Sequence, residues 1–303
     1  MTERDIFMRA RLALALWAAT GGIALFPSVI SAQQTVASSP QISVYTYADL
    51  ADLATTAPIT LHAQIKSATQ LRADRAPGLA AGHARFYVES EIIAPIRTVG
   101  PLASTVQYLV DLPLTSDGKA PKLRRKQPVL IFAQPVAANL PGSYSTNNIR
   151  LIAPDAQLPW DAATESQVRV ILSEVVQRGA PPQITGIANG FHVPGNLPGE
   201  GETQLFLDTA TGDPVSITIL TAADGSRRWS AAFGEVVDDR NPRPRTATLG
   251  WYRLACGLPA NLSIEKLGGT APEDRRRAAA DYGYVMRELG QCVRTRKAPP
   301  AVR

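Results

Sequence analysis

The stretch "ITLHAQIK", residues 59–66, decides how the first half of the chain is read. Ile59, Leu61, Ala63 and Ile65 alternate with Thr60, His62, Gln64 and Lys66, the period of two that sends one set of side chains to each face of a strand. On that reading His62 sits on a solvated face. Just upstream, "YTYADLADLATTAP" (45–58) has helical spacing and stops before Pro58. Downstream the alternation persists. "ARFYVESEII" (84–93) puts Phe86, Val88, Ser90 and Ile92 on one side, and "STVQYLVDL" (104–112) does so with Val106, Tyr108, Val110 and Leu112. "PVLIFA" (128–133) is a continuous apolar run, as expected of a strand buried on both faces, and "NNIRLIA" (147–153) supplies a fifth strand. Between the third and fourth strands, "PLTSDGKAPKLRRKQ" (113–127) is a polar excursion with an Asp-Gly turn.

Five short strands after a helix predict a small β-barrel or, as the alternative, a sandwich over residues 45–153. The pattern resembles an OB-type barrel, which removes its sheet edges by closing on itself. A second unit is expected over 154–295. Asp161 is placed to cap a helix over 162–178, whose Val168, Ile171, Leu172, Val175 and Val176 share one face. "QITGIANGFHV", "ETQLFLDT", "PVSITILT" and "RRWSAAFGEVV" read as strands, the last three forming an antiparallel meander over short turns. Two helices close the chain, one over 245–257 and one opened by a Thr270/Glu273 capping box, with Ala278, Tyr282, Val285 and Leu289 facing inward. The fold class is α+β.

The N-terminus carries a targeting pattern. "MTERDIFMRAR" (1–11) is cationic, the run at 12–30 is apolar, and Ser31-Ala32 are small, the order of a secretory signal peptide cut after Ala32. An uncleaved anchor is the rival, weakened by Gly21-Gly22 and Pro27. Residues 33–44 read as a disordered mature N-terminus and 296–303 as a flexible basic tail. Export places the protein in the periplasm or outside the cell. There Cys256 and Cys292, the two cysteines, are expected to pair. Both fall near the C-terminal ends of their helices, so the helices must run roughly parallel or cross there.

Net charge is +5 at pH 7, too mild to name a partner. Nucleophile and cofactor motifs are missing: there is no Gly-x-Ser-x-Gly, His-Glu-x-x-His, phosphate-binding loop or dinucleotide fingerprint. Ser-x-x-Lys occurs at 116–119 and 263–266, the first in a turn and the second without companion elements. Two features remain. In "FHVPGNLPGEGETQ" (191–204), His192, Glu200 and Glu202 would form an acid–base or metal-binding set if the loop folded them together. Its Gly and Pro residues equally suit a plain strand connection. Lys119, Lys122, Arg124, Arg125 and Lys126 form a basic cluster able to hold an anionic envelope polymer by charge. The export signal and the lack of interleaved aromatics argue against nucleic acid.

"ARFYVESEI", "LRRKQPVLIFA", "FHVPGNLPGEGETQ" and "WYRLACGLP" together make residues 45–295 resemble exported alphaproteobacterial proteins of unknown function, a likeness that implies no activity. The sequence thus predicts a non-catalytic binding or structural protein of the envelope. It calls for no cofactor, and its partner would be an envelope protein or anionic polymer. The alternatives are a hydrolase or metal-dependent enzyme at 191–204, and a protein inhibitor.

Overall fold

The computed structural model describes residues 45–138, 142–234, 243–268 and 271–296. The expected signal peptide, the expected disordered stretch at 33–44, Thr270 and the tail beyond Arg296 lie outside the described residues.

Helix α1 (Tyr47–Thr56) begins at Thr46, whose hydroxyl accepts from the Asp49 amide while the Asp49 carboxylate accepts from the Thr46 amide. This reciprocal cap satisfies two of the helix's orphan donors. Strands β1 (Ile59–Gln70), β2 (His83–Arg97), β3 (Thr105–Pro113), β4 (Pro128–Ala137) and β5 (Tyr144–Leu151) follow. The sheet runs β1-β2-β3-β5-β4, and β1 pairs again with β4, so five strands close into a barrel rather than a sandwich. The β3–β5 step is parallel and rests on one register pair, Gln107 with Asn148; it is the loosest seam in the wall.

The alternating residues do what their spacing predicts. Leu61, Ala63, Ile65, Val88, Val106 and Val110 are fully buried inside the barrel, and Val129–Ala133 of β4 are covered on both faces. A polar chain crosses this interior: the Tyr108 hydroxyl donates to Gln157 at 2.6 Å and lies 3.0 Å from the Ser90 hydroxyl.

Gln157 belongs to a strand the sequence did not announce. The short β6 (Gln157–Pro159) pairs with Val129–Ile131 of β4, so residues expected to open the second unit complete the barrel sheet. Asp161 then caps helix α2 (Ala162–Val175), which stops three residues short of the expected 178 and leaves Val176 exposed.

His62 is not on a solvated face. It points out of the barrel, but Trp160 stacks on its ring at 4.6 Å and the Glu165 carboxylate of α2 lies 3.0 Å from Nδ1. Alternation fixed its direction, and a later helix covered it. Burial opposes ionisation of Glu165, but hydrogen bonds from Trp160 and Arg169 outweigh it and hold the carboxyl below its ordinary range.

Strands β7 (Ile184–Pro194), β8 (Gly201–Thr209), β9 (Val215–Thr221) and β10 (Arg227–Phe233) form a four-stranded antiparallel sheet in simple meander order. Helix α3 (Leu249–Gly257) is capped by Thr248, and its first amide donates to Glu174 of α2 at 2.6 Å. Helix α4 (Pro272–Leu289) packs on β7 and β8 through the expected inward face of Ala278, Tyr282, Val285 and Leu289. Its N-cap is Ala271 with no side-chain bond, and Glu273 pairs with Arg277; the Thr270 half of the expected capping box lies outside the described residues. Buried side chains of the barrel, helices and meander make one contiguous core.

The Cys256–Cys292 disulfide is present, with Cα atoms 5.2 Å apart. Its 36-residue span would constrain the unfolded chain by about 4 kcal/mol on the loop-entropy view. Beyond it the chain is not loose. The buried Asp49 carboxylate accepts from the Thr295 amide and hydroxyl and from the Arg296 amide, at 2.5–3.2 Å. Arg294 grips Asp52 at 2.6 Å, and Arg296 reaches Asp155 at 2.8 Å. Residues 294–296 are therefore held; of the flexible tail expected over 296–303, Arg296 alone is described, and it is anchored. Basic residues look solvated in a sequence when their carboxylates lie some 240 positions away.

Burial of Asp49 opposes its charge, but the bonds from Thr295, Thr46 and Arg296 prevail and hold its pKa below the ordinary 3.8. A depressed folded-state pKa gives stability that is complete above the unfolded value and is lost as pH falls through the folded one. Asp49→Ala should therefore cost about 2–4 kcal/mol at neutral pH, leaving four donors unanswered. In denaturant titrations the gap from the parent protein should hold down to about pH 5 and shrink below about pH 4. A gap independent of pH would contradict this account of Asp49.

Candidate functional site

The 191–204 stretch divides its three candidates between two faces. His192 pairs in register with Thr203 and Val193 with Glu202, so His192 and Thr203 share the inner face of the sheet while Glu202 lies on the outer one. His192 is only 7 % exposed. Its Nδ1 is 2.9 Å from the Thr203 hydroxyl, which donates to Asp281 of α4 at 2.6 Å. Because the hydroxyl proton goes to the carboxylate, Thr203 accepts from Nδ1–H of the ring. Arg227 completes the chain, 3.1 Å from the other Asp281 oxygen. Among the described residues, buried Nε2 has no partner.

The ring fits because position 201 is glycine. A Cβ there would stand 2.4 Å from His192 Cε1 and 2.6 Å from Nε2. This buried Asp–Thr–His relay explains why a histidine occurs in a strand of alternating core positions. Sequence reasoning missed Thr203, Asp281, Gly201 and Arg227. Asp281 is 78 positions from Thr203, and its one signal was a lone acid on the inner, apolar face of α4.

Glu200 and Glu202 do not join His192. Glu200 turns back to accept from the Leu197 amide at 3.2 Å, and Glu202 accepts from Gln204 at 2.6 Å. Both line an open cleft of about 570 Å³ with Phe191, Gln204 and Arg228, on the face away from the imidazole. Among the described residues no cluster of His, Cys, Asp or Glu has the arrangement of a metal site.

The basic cluster lies on the β3–β4 loop. Lys119 pairs with Asp117 at 2.9 Å, whereas Lys122, Arg124, Arg125 and Lys126 are exposed and have no ion pair among the described residues. The loop is anchored by its backbone: the Lys126 amide donates to Ile65, and Leu114 to Gly82 of the β1–β2 connection. Lys126 takes φ +64°, a strained left-handed conformation for a side chain of its size.

A groove of about 770 Å³ opens on the outer barrel wall over the β3–β5 seam. Its floor carries Tyr87 and Leu109, in register on β2 and β3 and 40 % and 45 % exposed. Gln107, Asn148 and Arg150 line it on the β5 side. At one end Arg85 and Asp111 form a two-pronged ion pair, 2.6 and 2.7 Å, and Arg85 also donates to Pro77 of the β1–β2 connection. The groove thus abuts the β1–β2 connection, to which the basic loop is also tied. No residue of the groove was singled out from sequence. Tyr87 and Leu109, apolar residues on outward positions of alternating strands, were the available signal.

No family model matches the chain, and no curated protein matches it.

Gly201→Ala should expel the His192 ring and break the relay, destabilising the protein by about 1–3 kcal/mol. The His192 imidazole resonances in NMR spectra should move with it, and His192→Ala in the same background should restore part of the loss by removing the clash. Unchanged stability in Gly201→Ala would show that the ring is not seated there.

Proposed function

We propose that the chain is an exported, non-catalytic binding protein of the periplasm or cell envelope, whose OB-type barrel holds an anionic envelope polymer in its outer groove and on its β3–β4 loop. The observation that carries this reading is the groove over the β3–β5 seam, where exposed Tyr87 and Leu109 lie beside Gln107, Asn148 and Arg150. A polymer needs an apolar surface for its repeating rings or chains, amides for its hydroxyls, and cations for its charge. The exposed Lys122, Arg124, Arg125 and Lys126 extend that cationic surface beyond the groove.

The strand order, with β1 closing on both β2 and β4 and β3 parallel to β5, supports the OB assignment. Barrels of that type use the wall around their second and third strands for oligomeric ligands. The disulfide supports an oxidising compartment, and no helix among the described residues is long and apolar enough to cross a membrane. An acid–base role for His192 would require it to leave Thr203 and cross to the other face of the sheet.

Binding of the protein lacking residues 1–32 to lipopolysaccharide and inorganic polyphosphate, with neutral dextran as control, tests the proposal. Affinity for the polyanions should fall steeply with salt, because each contact releases counterions. Changing Lys122, Arg124, Arg125 and Lys126 to Gln should weaken it at least about tenfold, and Tyr87→Ala about three- to tenfold. Equal affinity for dextran, or no effect of the four changes, would overturn it.

A further inference from the structure

We propose that the recess between α1, α3 and the start of β7 is a second binding site, for a small oxyanion carrying a carboxylate or phosphate group, held by Arg253. The recess measures about 240 Å³ and is walled by Asp52, Thr56, Gln183, Tyr252, Arg253 and Arg294, with Cys256 of the disulfide at one side. Its walls are mostly polar side chains drawn from four separate parts of the chain. It shares no residue with the barrel groove or the basic loop.

The charge balance in this recess is uneven. Arg294 and Asp52 neutralise each other through Nε and Nη2 contacts of 2.6 and 3.1 Å, and the Tyr252 hydroxyl donates to the same carboxylate at 2.6 Å. Asp52 is thereby fully engaged. Arg253 is half-buried, and among the described residues its one side-chain hydrogen bond is from Nε to the Pro181 carbonyl at 3.2 Å. It makes no ion pair among the described residues. Its electrostatic neighbours are the Tyr47 and Tyr252 phenols, which are uncharged at pH 7, and burial raises both further, that of Tyr252 to about 12. The guanidinium lies over the Tyr252 ring, 5.5 Å from its centre.

Among the described residues no carboxylate pairs with this cation, Asp52 in the same recess being committed to Arg294 and Tyr252, and burial pulls the Arg253 pKa down. Partly buried arginines are ordinarily matched by a carboxylate or phosphate that engages the planar fork. Here the terminal amino groups of Arg253, the Thr56 hydroxyl and the Gln183 amide carry no hydrogen bond to any described residue, and all three line the recess. A planar carboxylate or a tetrahedral phosphate presents acceptors for two such N–H groups and a hydroxyl together. The volume admits a ligand of a few heavy atoms beyond the charged group. A longer polymer, such as the barrel groove would take, has no room.

The test is a titration of the folded, disulfide-bonded protein with sodium phosphate and separately with sodium succinate at constant ionic strength. NMR follows the Arg253 Nε–H, the Gln183 side-chain amide and the Thr56 backbone amide. Saturable shifts of these signals are expected, with half-saturation at about 1 mM or below, the range of one or two charge-assisted hydrogen bonds. Saturation by phosphate alone or by succinate alone identifies which source of the oxyanion the recess prefers. Arg253→Gln should weaken binding at least about tenfold, while the Lys122/Arg124/Arg125/Lys126→Gln protein should bind as the parent does. If Arg253→Gln fails to fold, Gln183→Leu at its exposed wall position should weaken binding about threefold or more. Shifts that stay linear in salt concentration, or saturable shifts that survive Arg253→Gln or Gln183→Leu, would overturn the proposal. Loss of saturation in the four-Gln protein would do so as well, by moving the anion to the basic loop.

Discussion

One carboxylate joins the two ends of the described chain. Asp49 caps the first helix through the Thr46 amide and also accepts from the amides of Thr295 and Arg296 and from the Thr295 hydroxyl. Helix α1 contacts both α2 and α3, so what holds α1 also positions the helices that cover the barrel and support the meander. Asp52, one turn along, repeats the pattern with Arg294 and Tyr252. Buried charge of this kind is tolerated only when several donors answer it, and Asp49 has four donor groups. The disulfide lies just before the captured segment and fixes where Arg294 to Arg296 emerge.

The strands, the meander and the helix faces were legible because they depend on local periodicity. Ile59, Leu61, Ala63 and Ile65 are buried as their spacing requires, and Val129 to Ala133 read as doubly covered because no polar residue interrupts them. Closure into a barrel was not local. It depends on the pairing of β1 with β4 and on the Gln107–Asn148 register pair across the β3–β5 seam. Strand β6 escaped notice because three residues around a proline carry too little pattern to stand out. His62 shows the limit of alternation: the period told which way it pointed, and nothing local announced that Trp160 would cover it.

Candidate chemistry was legible as residue types and not as geometry. His192, Glu200 and Glu202 are close in sequence, yet a strand pair separates them by face, and the histidine's partner Asp281 comes from a distant helix. The basic loop was visible as a run of charge and does lie exposed. Tyr87 and Leu109 became a surface only when β2 and β3 placed them side by side, and Arg253 became an unmatched cation only when α1 and β7 closed around it. Both features depend on residues brought together by α1 and the barrel, and so on the anchoring of the first helix.

Native-state hydrogen exchange at the Thr295 and Arg296 amides tests that anchoring most directly. Burial of Asp49 and its four donor groups require both amides to exchange as slowly as the amides of α1, and to be released together with them when the disulfide is reduced. Exchange of Thr295 and Arg296 at the rate of an open chain, while α1 stays protected, would contradict it.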